Sequence, residues 1–300
     1  MSVQESFDRI AVLKTYDAQI GVDSSGNKTI VLDPTKLRVF PSKMKDGSPG
    51  FRIKFKVEKV QGPSPIPNPV SIYIYNIGAD SRSIVSKQNN VVILEAGYGQ
   101  SSEIIFTGNV LRARTRKEGP DYVTQIEAAD GLFAFQNSTV NQSFQAGITA
   151  NSVINTLVGA LKSSGVTPGT IQGVPSDGYN QGIVLSGKTV DRLQEICDKH
   201  DLVFSIQDGK VTILPYGSDR GTPVVLLSPS TGLIGIPEVR ETDSEGKSLV
   251  SFKCLMNSKI GLFQKILIQS KFVNGIFTVG KVSQDGDSWG GPWYTEGEAV

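Results

Sequence analysis

Apolar and polar residues alternate along much of the first half of the chain. Phe51, Ile53, Phe55 and Val57 interleave with Arg52, Lys54, Lys56 and Glu58, the period of two that sets one strand face on a core and the other in water. Val70, Ile72 and Ile74 repeat the pattern against Ser71, Tyr73 and Tyr75. Between these runs residues 62–69, GPSPIPNP, hold too much proline to pair in a sheet and are predicted to loop. Residues 91–97, 102–116 and 121–130 supply three more strand candidates with short turns between them. Five short strands so spaced predict a sandwich or barrel.

The period changes near residue 147. Val153, Ile154, Leu157, Val158 and Leu161 share one face of a helix that Thr149 is placed to cap, and Gly165, Pro168 and Gly169 end it. A second helix is predicted after Thr189, again as cap, with Val190, Leu193, Ile196 and Cys197 inward and Asp191 in the favourable first turn. Residues 202–215 then read as a hairpin turning at Asp208-Gly209. Strands return at 248–256, 263–270 and 275–283, before the end DGDSWGGPWYTEGEAV. The expected division is a first β-barrel domain at 1–146, a small α/β insertion at 147–220 and a second barrel at 221–300.

The two β-rich parts resemble each other. Val92-Ile93-Leu94, then Ile105 to Val110, then Tyr122 to Ala128 match Ile266-Leu267-Ile268, Ile276 to Val282 and Trp293 to Ala299. Phe106 and Phe277 are 171 residues apart, Tyr122 and Tyr294 172. Near-constant spacing over three segments predicts a repeated domain. The fold class is therefore mainly β with a small α/β insertion, its two tube-type β-barrel domains related by internal duplication. Two related β domains per chain let n copies close a ring of 2n similar units, which hides strand edges from uncontrolled pairing.

Composition narrows the function. The 300 residues carry 30 Lys plus Arg against 29 Asp plus Glu, so no global positive excess exists for holding nucleic acid. The start, MSVQESFDRI, lacks a basic region followed by an apolar run, and no window approaches the ~18 apolar residues of a membrane span. A soluble protein made in a cytoplasm is expected. Cys197 and Cys254 have no CxxC partner and read as small buried hydrophobes rather than a disulfide.

Residues 182–189, GIVLSGKT, match the phosphate-binding loop pattern, yet the required strand into the first glycine is missing and the intervening Ile-Val-Leu-Ser is itself strand-like. The expected structure is a strand, a turn and a helix without nucleotide. The one histidine, His200, stands at a helix end, where contact with the last carbonyls is its expected role. One His and two isolated Cys make zinc implausible, and nothing singles out a carboxylate pair for glycoside cleavage. No catalytic residue, metal or cofactor is assigned.

Two groups remain as interface candidates. Arg112, Arg114 and Arg116 lie at period two on one strand face. They read as a solvated face guarding an edge strand, as a contact with an acidic partner, or last as a DNA-facing lumen. Trp289, Trp293 and Tyr294, in a glycine-rich setting, read equally as barrel core or as contact anchors.

The order of a β-barrel, an α/β insertion and a second barrel ending in a glycine-rich, tryptophan-containing segment resembles the baseplate hub proteins of contractile phage tails. These form the late control protein D group, and the hub half of type VI secretion spikes belongs to the same wider family. The resemblance rests on Ser102–Asp130, Thr149–Leu161, Gly187–Pro215 and Gly275–Glu298. It implies a non-enzymatic structural protein of the virion tail baseplate, a homotrimer with pseudo-sixfold symmetry. Its implied partners are the tail spike, the tail tube or tube-initiator, the tape-measure protein and other baseplate proteins, with DNA only in transit through the lumen. The alternatives are a cell-wall or carbohydrate-binding or lytic tail protein, and a tail-tube initiator subunit.

Overall fold

The structure, a computed structural model, describes residues 8–24, 26–61, 67–240 and 248–300. It opens with a long antiparallel hairpin of β1 (Arg9–Val22) and β2 (Lys28–Pro41), a stretch that the alternation did not single out. In β3 (Ile53–Val60) and β4 (Pro69–Tyr75) the apolar set Ile53, Phe55, Val57, Val70, Ile72 and Ile74 is buried, as the period of two predicts. A short helix α1 (Ala79–Val85) leads to β5 (Val91–Tyr98), β6 (Ser101–Glu118) and β7 (Asp121–Ala129), with β6 antiparallel to β5 and β7 antiparallel to β6.

Helix α2 (Leu132–Asn137) and β8 (Thr139–Phe144) enter the α/β module, followed by α3 (Ala150–Leu161), β9 (Thr167–Ile171), β10 (Ile183–Lys188) and α4 (Thr189–Lys199). The module closes with the hairpin of β11 (Leu202–Gln207) and β12 (Lys210–Pro215). Thr149 caps α3 as expected, its Oγ1 accepting from Ser152 N. Thr189 does not cap α4. Lys188 is the capping residue, and Thr189, wholly buried, takes a 2.9 Å hydrogen bond from Ser138 Oγ instead. Tying two segments of the module together outweighs local capping there. Asp208 and Gly209 turn with φ of 51° and 72°, the left-handed pair that a two-residue hairpin demands.

The remaining strands are β13 (Val225–Leu227), β14 (Glu238–Arg240), β15 (Leu249–Leu255), β16 (Lys265–Gln269), β17 (Asn274–Asp287) and β18 (Trp293–Ala299). Thirteen strands join in one sheet whose main path runs β14-β15-β18-β17-β3-β4-β7-β6-β5-β1-β2, with β16 on β17 and β13 on β16. The sheet curls: Phe51 N donates to Pro41 O over 2.9 Å, and the Phe40 and Phe51 rings meet edge to face at 5.5 Å. Three buried clusters fill the molecule. One is enclosed by β1 and β3 to β7, with Met256 and Trp293 added, one lies in the module, and one in the last part of the chain.

Two sets of five strands have the same order. The first runs β3-β4-β7-β6-β5 and the second β14-β15-β18-β17-β16, every neighbour antiparallel. The two sets share one sheet, because β17 of the second pairs with β3 of the first.

Candidate functional site

The likeness of the two strand sets extends to single residues. In β6 the register against β7 steps between Val110, opposite Ala128, and Arg112, opposite Glu127. In β17 the register against β18 steps between Val279, opposite Ala299, and Lys281, opposite Glu298. Such a bulge adds one residue to a strand and turns it locally. Each bulge carries an ion pair: Arg112 grips Glu127 through two bonds of 2.6 and 2.9 Å, and Lys281 lies 3.6 Å from Glu298. Two residues ahead of the strand before each bulge stands a residue with positive φ, Asn89 at 68° before β5 and Phe263 at 60° before β16. Asn89 N donates to Val110 O and Val110 N to Asn90 O, while Phe263 N donates to Val279 O and Val279 N to Gln264 O. By this register Tyr122 corresponds to Trp293 rather than to Tyr294, a shift of one residue from the sequence alignment.

Beyond the bulge the strand sets differ. On β17 the edge that carries β16 goes on to carry β3, from Lys281 opposite Val60 to Asp287 opposite Lys54. On β6 the edge that carries β5 is left open after Val110. Among the described residues no strand meets it from Leu111 to Glu118, although β7 covers the opposite edge throughout. Arg112, Arg114 and Arg116 all lie on this open segment and are exposed. Arg116 Nε pairs with Glu118, so carboxylates already hold the two outer arginines of the stripe.

A second open edge is on β14, which has β15 on one side and no strand on the other among the described residues. Glu238, Val239 and Arg240 are exposed there, and the nearby Ile236 is 64% exposed. The sequence reading missed this edge. Three residues are too short a run to show a period, and residues 241–247 lie outside the described ones.

The aromatic candidates part company. Trp293 is buried, with Phe55 at 5.5 Å and Tyr98 at 6.5 Å, both edge to face, and belongs to the core. Trp289 is 62% exposed and lines an open cleft with Arg9, Lys43 and Pro49. Tyr294 is half-buried beneath Lys253, whose Nζ stands 4.3 Å from the ring centre. Cys197 and Cys254 are buried and unbridged, and burial pushes both thiols up to about 12. Residues 183–188 of the phosphate-loop match form a strand antiparallel to β8. His200 caps the end of α4 and meets the Tyr179 hydroxyl at 3.1 Å. Among the described residues no three His, Cys, Asp or Glu converge as metal ligands, and no helix is long and apolar enough to cross a membrane.

A buried carboxylate sits where the module meets the first strand set. Asp130, just after β7, accepts from Asp208 N at 2.6 Å and Gly209 N at 3.3 Å. Burial first, and then the Asp208 charge, push its pKa up to about 7 against the pull of Lys59.

Neither a protein-family model nor a curated protein sequence matches the chain. Solved structures do. The 43 kDa tail protein of prophage MuSo2 from Shewanella oneidensis aligns over 98% of this chain and 96% of its own, with a TM-score of 0.60 and 9% identity. The chain has the fold of phage tail proteins. A tail protein from Neisseria meningitidis MC58 shares the tail-protein fold over 97% of this chain and 96% of its own, at TM-score 0.60 and 10% identity. So does the E. coli c3393 protein, described as a component of the type VI secretion system with structural similarity to the T4 tail proteins gp27 and gp5. It covers 83% of this chain and 73% of its own length, at TM-score 0.57 and 8% identity. At such identities the likeness is one of fold.

Proposed function

We propose that this chain is the structural baseplate hub of a phage-type tail. Three copies close a pseudo-hexameric ring that joins the tail tube to the central spike and lets DNA pass during ejection. The observation that carries this reading is the repeated five-strand order within one chain, because three chains then present six near-equivalent β units to a sixfold tube. The tail-protein fold shared with the prophage proteins and with the type VI component supports it. The role is structural, without catalysis, and the module between the two strand sets is an appendage of the ring. Division of the chain near residues 146 and 220 into barrel, module and barrel belongs to the same reading.

The test is the mass of the purified full chain in solution, combined with class averages in the electron microscope. A particle of three times the 32.2 kDa chain mass, showing six lobes around a hole, is the expected result. A hexamer would favour a tube-initiator role. A stable monomer that is captured on cell-wall glycan would favour the carbohydrate-binding alternative.

A further inference from the structure

The two strand sets are equivalent, but only one junction between them is made within the chain. The register relations carry the paired residues of the first set onto those of the second, with β14 matching Lys56 to Glu58 of the longer β3. Ala128 maps to Ala299, Val70 to Val250, Val57 to Val239 and Arg112 to Lys281. The internal junction puts β3 on the outer edge of β17, so its missing counterpart would put β14 on the outer edge of β6. Both of those edges are open among the described residues. From the repeat of the β17–β3 junction we infer that β14 of one copy adds, antiparallel, to the Leu111–Glu118 edge of β6 in a second copy.

The register of the new junction follows from the old one. Gln284 lies opposite Val57 and Asp285 opposite Lys56 in the chain. The mapping then sets Thr115 opposite the second copy's Val239 and Arg116 opposite its Glu238. The internal pairing of an acid on β17 with a base on β3 is exchanged for a base on β6 with an acid on β14, so the charges remain complementary. Opposite charges set directly across a pair of strands stabilise it, and like charges do the reverse. Val239 is 57% exposed where its counterpart Val57 is 1% exposed, which is the burial the junction would complete. Arg114 would fall opposite Arg240. That contact is unfavourable, and Glu238, 3.7 Å from Arg240, offsets it. Covered edges no longer recruit foreign strands, so closure also protects the sheet.

This junction rests on the ring reading and is tested separately from it. Thr115→Cys and Val239→Cys are introduced together in the full chain and oxidised, and the products are sized under denaturing, non-reducing conditions. The native Cys197 and Cys254 are buried and serve as a silent background. The expected product is a covalent trimer, with neither single variant cross-linking. Charge exchange supplies the second arm: Arg116→Glu should weaken assembly at least tenfold, and adding Glu238→Arg should restore it. Arg114→Glu, facing Arg240, should tighten assembly. A trimer of unchanged mass that neither cross-links nor responds to these exchanges overturns the junction and leaves the ring standing. An open ladder of cross-linked chains upholds the junction and overturns the closed ring. A wild-type chain that stays monomeric overturns both.

Discussion

Lys59 Nζ stands 3.0 and 3.1 Å from the two carboxylate oxygens of Asp208, joining β3 of the first strand set to the turn of the module's hairpin. Lys59 is almost fully buried, and the same turn donates two backbone N–H groups to Asp130. Three ionisable groups from distant parts of the chain therefore lock the module to the sheet. A buried carboxylate in such a place must find either a charge or a proton.

Asp130 finds a proton up to about pH 7. In the unfolded chain the same group releases it near pH 4. Between those values the folded state binds the extra proton, so stability is greatest at the acid end of the window and falls as pH rises through 7. Chemical denaturation at pH 5 and pH 8 should show a loss of roughly 2–4 kcal/mol over that span. Asp130→Asn should flatten the dependence. A stability that instead rises from pH 5 to pH 8 would mean that Asp130 is ionised in the folded chain.

Replacing Lys59 with Met keeps the apolar stem and removes the charge. Asp208 loses its partner but is itself about one-third exposed and can regain water, so the cost should stay near 1–3 kcal/mol. Without the Lys59 charge, Asp130 should hold its proton to higher pH, moving the stability loss upward. Urea midpoints of Lys59→Met across the same pH range check both effects.

Much of this fold could be read from spacing. The alternation at Ile53, Phe55 and Val57 and at Val70, Ile72 and Ile74 gave β3 and β4 with their buried faces correct, and the apolar face from Val153 to Leu161 gave α3 with its Thr149 cap. The hairpin of β1 and β2 was not legible. β2 lies at the end of the sheet path with exposed Val31, Leu32 and Val39, so burial imposes no clean alternation on it. Thr189 misled because a cap and a buried hydroxyl look alike in sequence. The repeat was legible at Val92–Leu94 and Ile266–Ile268, which the strand register sets on each other. The same register sets Phe106 on Gly275 rather than on Phe277, two residues from the sequence pairing, and the open edges were not legible at all. An edge is defined by the strand that fails to arrive, and no residue at Leu111–Glu118 or Glu238–Arg240 records that.

Trp293 and Trp289 should behave oppositely. Trp293 is buried against Phe55 and Tyr98, so Trp293→Ala removes a large side chain from the first core and should cost ~3–5 kcal/mol. Trp289→Ala, at an exposed position, should change stability by no more than about 0.5 kcal/mol. Thermal unfolding of the two variants side by side separates core from surface. A large loss at Trp289 would show that it is packed in solution against another copy.

The phosphate-loop match should be silent. A phosphate-binding loop wraps the anion with successive N–H groups at a helix start. Here Gly182 precedes an extended strand whose pairing runs from Ile183, opposite Phe144, to Lys188, opposite Thr139, so successive N–H groups point alternately toward β8 and away from it instead of converging on one anion. Lys188→Ala should leave assembly intact, and calorimetry should show no ATP binding by either form. Micromolar affinity that disappears with Lys188 would place a nucleotide site here after all.

The last prediction concerns DNA and the arginine stripe. A channel that conducts duplex DNA must let it slide, and every neutralised phosphate adds affinity that only salt relieves. Arg112 is already held by Glu127 and Arg116 by Glu118, so phosphate contact would have to displace two carboxylates. Those pairs are exposed, and solvent screens them in the isolated chain. Replacing Arg112, Arg114 and Arg116 together with Gln should therefore barely move the thermal midpoint of the monomer. It should also leave duplex DNA binding, measured by fluorescence anisotropy between 50 and 200 mM salt (about the range over which phosphate contacts titrate), as weak as in the wild type. A stripe lining the lumen predicts something else. Wild-type binding would then fall steeply with salt, with a log–log slope of about −0.9 per contacted phosphate, and the triple variant would lose most of that slope. Observing that loss with assembly unchanged would move these arginines from the subunit junction to the channel wall.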